Sequence, residues 1–243
     1  MAYRSRPVVL FEGGAIPDSL GRRAAKLEVE LCPNVEFLTL SGPALLVGPI
    51  DYMDAGFAPG RSGFVEYLPS DMICPLSQNL VDVAAAGGLC LSASTAALMN
   101  QDAAQGFCAA LAQRFPDIAD KMVELAVCEA IGNAVIHGNL GLKSDLRHSR
   151  DGLVEFNACI VERLADPTLA ARRVEVTVTA LAGGGGEIIV KDDGDGFDFD
   201  KEMAKPLDAA AKSGRGLGLI RKISSAVFGR DGGRTLIMQF RPD

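Results

Sequence analysis

The chain has 243 residues, 48% of them apolar, and a formal net charge of −7. That length and apolar content suffice for one large or two small domains with real cores, and the acidic balance argues against nonspecific binding to nucleic acid or to an anionic membrane, which need a basic face. The run Val8–Phe11 is too short for a signal-peptide core, and the stretch Val83 to Met99 is too rich in Ala, Gly, Ser and Thr to span a bilayer.

Six cysteines without a C-x-x-C pair and only two histidines support neither a zinc site nor a disulfide framework. A soluble, cytoplasmic protein with reduced thiols is expected. From the N-terminus, Val8–Phe11 and Val35–Leu40 read as strands around a helix from Asp18 to Leu31, an α/β unit. The segment Gly63–Pro69, followed by a helix from Pro75 to Ala86, resembles the end of a response-regulator receiver domain. Glu12 stands alone after the first strand, and neither a phosphoacceptor aspartate nor a switch lysine is placed, so the resemblance implies a shortened relative that is not phosphorylated. Residues 1–100 are read as this smaller N-terminal domain, and 101–243 as a second one.

Between Asp117 and Gly138 the residues Val123, Val127, Ala130, Ile131 and Ala134 recur at helical spacing, a stripe suited to packing on a sheet. Glu129, Asn133 and His137, spaced four apart, stack along another face of that helix. Met122, Leu125 and Ile136 border them, so the helix is expected to be buried on two sides. A carboxylate in such a place requires a partner. An ion pair with a helix-capping Asn is one reading, and a divalent cation or a nucleotide is the other. A further helix runs from Leu153 to Leu164 and stops before Asp166-Pro167.

Val174, Val176 and Val178 then alternate with Glu175, Thr177 and Thr179, and Glu187–Lys191 follows the run Gly183–Gly186: two antiparallel strands joined by a glycine turn. Asp192-Asp193-Gly194-Asp195-Gly196 comes next. A carboxylate fixed at a strand end can accept a hydrogen bond from the exocyclic amine of adenine, where guanine presents a carbonyl, and glycines let the backbone approach the base. An ordinary acidic turn has the same letters. Ser213-Gly214-Arg215-Gly216-Leu217-Gly218-Leu219 leads into an apolar helix from about Gly216 to Phe228, and free amides at a helix start suit phosphate. Arg215 reads either as a phosphate contact or as a solvated loop arginine. The pattern is no P-loop, lacking G-x-x-x-x-G-K-[ST], and it does not follow the first strand of a βαβ unit as a dinucleotide fingerprint does. Gly233-Arg234-Thr235 enters a last strand, Thr235–Phe240. The order of helices and strands, with hairpin-length connections, points to an α+β fold, a two-layer α/β sandwich with helices on one sheet face.

Together, E-x-x-x-N on a helix, D-x-G-x-G after a strand and G-x-G-x-G at a helix start resemble the GHKL (histidine-kinase-like) ATPase superfamily. Within it, Glu129–Gly138 and Gly214–Ile220 look most like the bacterial anti-sigma factor serine/threonine kinases. The likeness covers roughly the C-terminal half and implies ATP and Mg²⁺ as ligands. By that resemblance Asn133 would ligate Mg²⁺ and Glu129 would be the general base that orients an attacking hydroxyl or water. Asp192 would read adenine, with Gly194 and Gly196 making room for it. Gly214, Gly216 and Gly218 would line the phosphates, with Arg215 and Leu217 in the same loop, and Thr235 would lie near the adenine.

The stretch from Asn139 to Arg173 is longer than a compact anti-sigma kinase needs, and reads as an added partner surface. The lid between Gly196 and Gly214 is short, and no dimerisation helix carries a phosphoacceptor histidine, which disfavours autophosphorylation on histidine. Two functions follow: a kinase that phosphorylates an anti-anti-sigma-like partner, or an ATP-responsive scaffold with little turnover. A homodimer is what the family implies.

Overall fold

In the computed structural model, residues 7–33, 43–68, 74–100, 102–142, 152–204 and 215–241 are described. The N-terminal half runs β1 (Val8–Phe11), α1 (Asp18–Lys26), β2 (Glu30–Pro33), β3 (Ala44–Gly48), α2 (Met53–Gly56), β4 (Arg61–Glu66), α3 (Gln78–Ala85), β5 (Leu89–Ser94) and α4 (Thr95–Asn100). Its five strands are all parallel, in the order β2-β1-β3-β4-β5. Both faces are covered. Val9, Phe11, Leu45, Val47 and Val65 pack against Leu20 and Ala24 of α1 and Leu80 and Ala84 of α3. Leu10, Leu46, Phe64 and Leu91 face the other way, towards Met53 and Phe57. This is why β3 is apolar and buried at every position, as parallel strands between two helical layers are.

One boundary in this half differs from the sequence reading. The first helix ends at Lys26 rather than Leu31, because Glu28 takes a left-handed φ of 55° and turns the chain into β2. The strand expected at Val35–Leu40 lies outside the described residues.

The second half contains α5 (Ala103–Arg114) and α6 (Lys121–Asn133), which passes into a π-helical turn, Ala134–Asn139. It continues with α7 (Gly152–Leu164), α8 (Pro167–Ala171), β6 (Arg173–Ala180), β7 (Gly186–Asp192), α9 (Phe199–Met203), α10 (Arg215–Ile223), β8 (Ala226–Arg230) and β9 (Thr235–Phe240). β5 pairs antiparallel with β6, so one sheet of nine strands runs through both halves, β2-β1-β3-β4-β5-β6-β7-β9-β8. The Asp120 carboxylate caps α6 by accepting from the amides of Met122 and Val123. The stripe Val123, Val127, Ala130, Ile131 and Ala134 meets Val174, Val176, Val178, Ile188, Val190 and Met238 on one face of the antiparallel strands.

That stripe is where the sequence placed it, but α6 is not buried on two sides: Met122 is 49% and Leu125 42% exposed. The last helix stops at Ile223 rather than near Phe228, and Ala226–Arg230 is β8, an edge strand antiparallel to β9. Ser224 and Ser225 break the helix, and Val227-Phe228 supply the β-branched and aromatic residues that suit a strand. Among the described residues no helix is long and apolar enough to cross a membrane.

Candidate functional site

Glu129 and Asn133 stand one turn apart on α6, both half-buried, and the first turn of α10 lies directly over them. A methyl group at Gly216 would come within 2.5 Å of Glu129 Oε2 and 3.0 Å of Asn133 Nδ2. The first four amides of an α-helix have no partner within it and carry its positive dipole end, so this turn sets anion-binding groups beside a carboxylate and a carboxamide. Regular α-helix ends at Asn133. The wider π turn that follows breaks the four-residue register on which His137 was placed in the same stripe, and the His137 ring nitrogen Nδ1 lies at hydrogen-bond distance from the Leu142 carbonyl. Turns of this kind occur often at functional sites.

Asp192 ends β7 on the same sheet face as Ile188 and Val190, and reaches the π turn. A methyl group at Gly138 would sit 2.5 Å from the Asp192 carboxyl carbon. Gly194 backs onto the Gly138 carbonyl, leaving no space for a side chain, and its amide donates to Asp192 Oδ1 at 2.8 Å. Burial pushes the Asp192 carboxyl up to about 6, and the Asp193 carboxylate adds to the rise; the Gly194 amide, Arg234 and Arg172 oppose it. Beyond it, Gly196 takes a φ of 76° against the Gly232 carbonyl, and the Phe197 amide donates to that same oxygen at 2.9 Å.

The description "Histidine kinase-like ATPase domain" fits residues 93–240, from within β5 to the end of β9 and more than half of the chain. The chain belongs to the histidine kinase-like ATPase family. No curated protein and no solved structure matches it. This ATPase is an ATP-binding regulatory protein, and β1 to β4 lie wholly outside the matched span.

Not every residue picked from the sequence of this ATPase reaches the site. Thr235 pairs with Lys191 in the ladder, on the face opposite Asp192, and its hydroxyl donates to Asp231 Oδ2 at 2.7 Å. The β9 residue on the Asp192 face is Leu236, opposite Val190. Gly214 lies outside the described residues. Arg215 opens α10, and Gly216, Leu217 and Gly218 belong to its first turn, not to a loop before it.

One residue with no assigned role proves central. Asn139 closes the π turn, fully buried. Its Nδ2 donates to Thr95 Oγ1 at 2.9 Å and to the Arg173 carbonyl at 3.0 Å, while its Oδ1 accepts from the Asp193 amide at 2.8 Å. Arg172 Nη1 donates to its carbonyl at 2.8 Å. Arg173 in turn donates to the carbonyls of Glu66 and Ser92. The ends of β4, β5, β6 and β7 are thus joined to the end of α6. The only sequence signal was a polar residue directly after Gly138, where an apolar helix stops.

ATP fits these groups: a desolvated carboxylate stands where a base amine could be read, and the first turn of α10 lies beside Asn133. Among the described residues no three His, Cys, Asp or Glu side chains cluster to hold a metal unaided. A Mg²⁺ here would be held by Asn133, with phosphate and water oxygens completing its shell, as that ion commonly is.

Proposed function

We propose that this ATPase is a protein serine/threonine kinase of the anti-sigma-factor type, acting on an anti-anti-sigma-like partner. The observation that carries the proposal is the seat of Gly216 on both Glu129 and Asn133. It brings a base, a carboxamide and a phosphate-binding helix end to one point. A module that only senses ATP needs no carboxylate there.

In this reading Asp192 accepts from the adenine amine, Gly138 and Gly194 leave the base its space, and the first amides of α10 receive the phosphates. Mg²⁺, when bound, neutralises phosphate charge. Glu129 takes the proton of a seryl or threonyl hydroxyl as its oxygen bonds to the γ-phosphorus. The bond from that phosphorus to the bridging oxygen breaks, and ADP leaves. Phosphoryl transfer asks the protein mainly for positioning and charge stabilisation. A cytoplasmic location and a homodimer belong to the same reading.

Residues 1–100 are proposed as a receiver-like half that no longer takes a phosphoryl group. The order β2-β1-β3-β4-β5 is that of flavodoxin-like doubly wound sheets, and the carboxyl ends of β1, β3, β4 and β5 carry Glu12, Gly48, Glu66 and Ser94, with no aspartate. The second reading, an ATP-responsive scaffold, is favoured by the hydrogen bonds that join this half to the Asp193 turn through Thr95 and Asn139.

Single-turnover assays with γ-labelled ATP, in water and with an added anti-anti-sigma protein, compare wild type with Glu129→Gln. The variant is expected to keep ATP affinity and to lose at least about a hundredfold in the rate of label transfer. A wild type that binds ATP yet moves label no faster than Glu129→Gln would leave the scaffold reading standing.

A further inference from the structure

An amphipathic helix on a protein surface needs one apolar face; α7 has two, back to back. Its inner face is fixed to the ATPase: Phe156 is 1% exposed and packs with Leu140 and Leu142, and Ile160 and Leu164 join that cluster. On the opposite side Val154, Ala158 and Val161, with Ala165 just past the end of the helix, follow one another at four-, three- and four-residue steps, all exposed, Val154 by 73% and Val161 by 69%. Leu153, 64% exposed, stands seven residues before Ile160, on the inner stripe, and is no part of this seam. That spacing is the seam of a helix pair, and a helix apolar on both faces is ordinarily buried on both.

We infer that the outer face of α7 docks an amphipathic helix of a partner protein whose apolar stripe is edged by lysine or arginine. The charge beside the seam selects that occupant. Glu155 and Glu162, both exposed, flank it on one side at seven-residue spacing, while Asn157 stands on the other. The helix's one basic residue, Arg163, falls seven residues after Phe156, on the inner side.

An anionic membrane would be repelled by the two glutamates. A second copy docked antiparallel about a two-fold axis would place Glu155 beside the partner's Glu162, like charge on like. A parallel copy would set Glu162 against Asn157 of the partner subunit and gain no ion pair. A basic helix gains both the seam and the pairing. The small residues Ala158 and Ala165 let its backbone come close, and each pair of facing charges steers its approach more than it holds it. The inference is independent of nucleotide chemistry at the other site.

The test uses the full chain and two labelled synthetic helices of about 20 residues, sharing a Leu/Ala seam, one edged with Lys and one with Glu. Fluorescence anisotropy is measured for wild type and for Val154→Asp/Val161→Asp, whose exposure allows both changes without unfolding; an unaltered urea midpoint checks this. The Lys-edged helix is expected to bind wild type at least about tenfold more tightly than the Glu-edged one and than it binds the variant, and to weaken with salt. Equal affinity for both helices, or for both proteins, overturns the inference, as does a wild type that binds neither. A dimer in sedimentation that the variant abolishes gives the seam to a second copy, and phosphatidylserine vesicles that retain wild type but not the variant give it to a membrane; either result also overturns it.

Discussion

Asp192, proposed to read adenine through its charge, sits where burial opposes that charge. Its carboxyl titrates at about 6 in the folded protein, against roughly 3.9 in an unfolded chain. A raised carboxyl favours the folded state below about pH 4, and that contribution is lost as pH rises through about 6. Asp192→Asn keeps an acceptor for the Gly194 amide and removes the buried charge. The nucleotide-free variant is therefore expected to be more stable at pH 8 by about 1 kcal/mol, discounted for the water that still reaches the group. In a scanning melt that is a rise of about 2–4 °C. Ligand binding should show the reverse slope. Adenosine has no phosphates to titrate, so its Kd should rise about tenfold from pH 7 to pH 5, as the ionised fraction of Asp192 falls; a flat profile would remove Asp192 from adenine reading. Glu129, Asn133 and Asp192 could be picked out because each sits in a short string whose spacing constrains its geometry. Thr235 was misplaced because the face a strand residue takes depends on register with β7, and the letters around it do not carry register. Asn139 went unread because Thr95, Arg173 and Asp193, its partners, are distant in sequence.

The π turn at the end of α6 is the element on which the site depends, and two substitutions separate its tasks. Gly138→Ala puts a methyl group against the Asp192 carboxyl at a position whose backbone accepts alanine. ATP affinity should fall by at least about tenfold, more than 1.4 kcal/mol, with a loss in urea midpoint small beside that of Asn139→Ala. Asn139→Ala leaves the part-buried Asp193 amide and the buried Thr95 hydroxyl without that partner. It should destabilise the fold by about 2–4 kcal/mol in urea titration; a loss under about 0.5 kcal/mol, the range of ordinary surface substitutions, would show that the network is not structural. Elements with strong periodicity, α6, α7, β6, β7 and β9, could be read from the sequence almost to their ends. Several others could not, among them the central strand β3 and the elements α5, β5 and β8. α5 is rich in Ala and Gln with little asymmetry, β5 is hidden in an apolar stretch that continues into α4, and β8 directly follows a helix after two serines.

At the scale of the whole molecule, the β5–β6 ladder makes the parallel and antiparallel halves one sheet. No composition shift marks that join, so the sequence could show two segments but not how they are fused. All three tyrosines, Tyr3, Tyr52 and Tyr67, precede β5, and the chain has no tryptophan, so tyrosine fluorescence reports on the N-terminal half alone. ATP at a hundred times its Kd stabilises by about 2.7 kcal/mol. If the halves unfold together, it should raise the urea midpoint seen by tyrosine by about 1 M. A tyrosine transition indifferent to ATP would show that the halves unfold separately.

The site proposed to hold ATP lies between the Asp192 turn, the end of α6 and the start of α10. Titration calorimetry in the presence of Mg²⁺, with wild type against ATP and GTP and Asp192→Asn against ATP, tests this proposal most directly. Wild type should bind ATP at least about tenfold more tightly than GTP, and than the variant binds ATP, a gap of about 1.4 kcal/mol or more. Absence of ATP binding to wild type up to about 1 mM, weaker than about −4 kcal/mol, would contradict it.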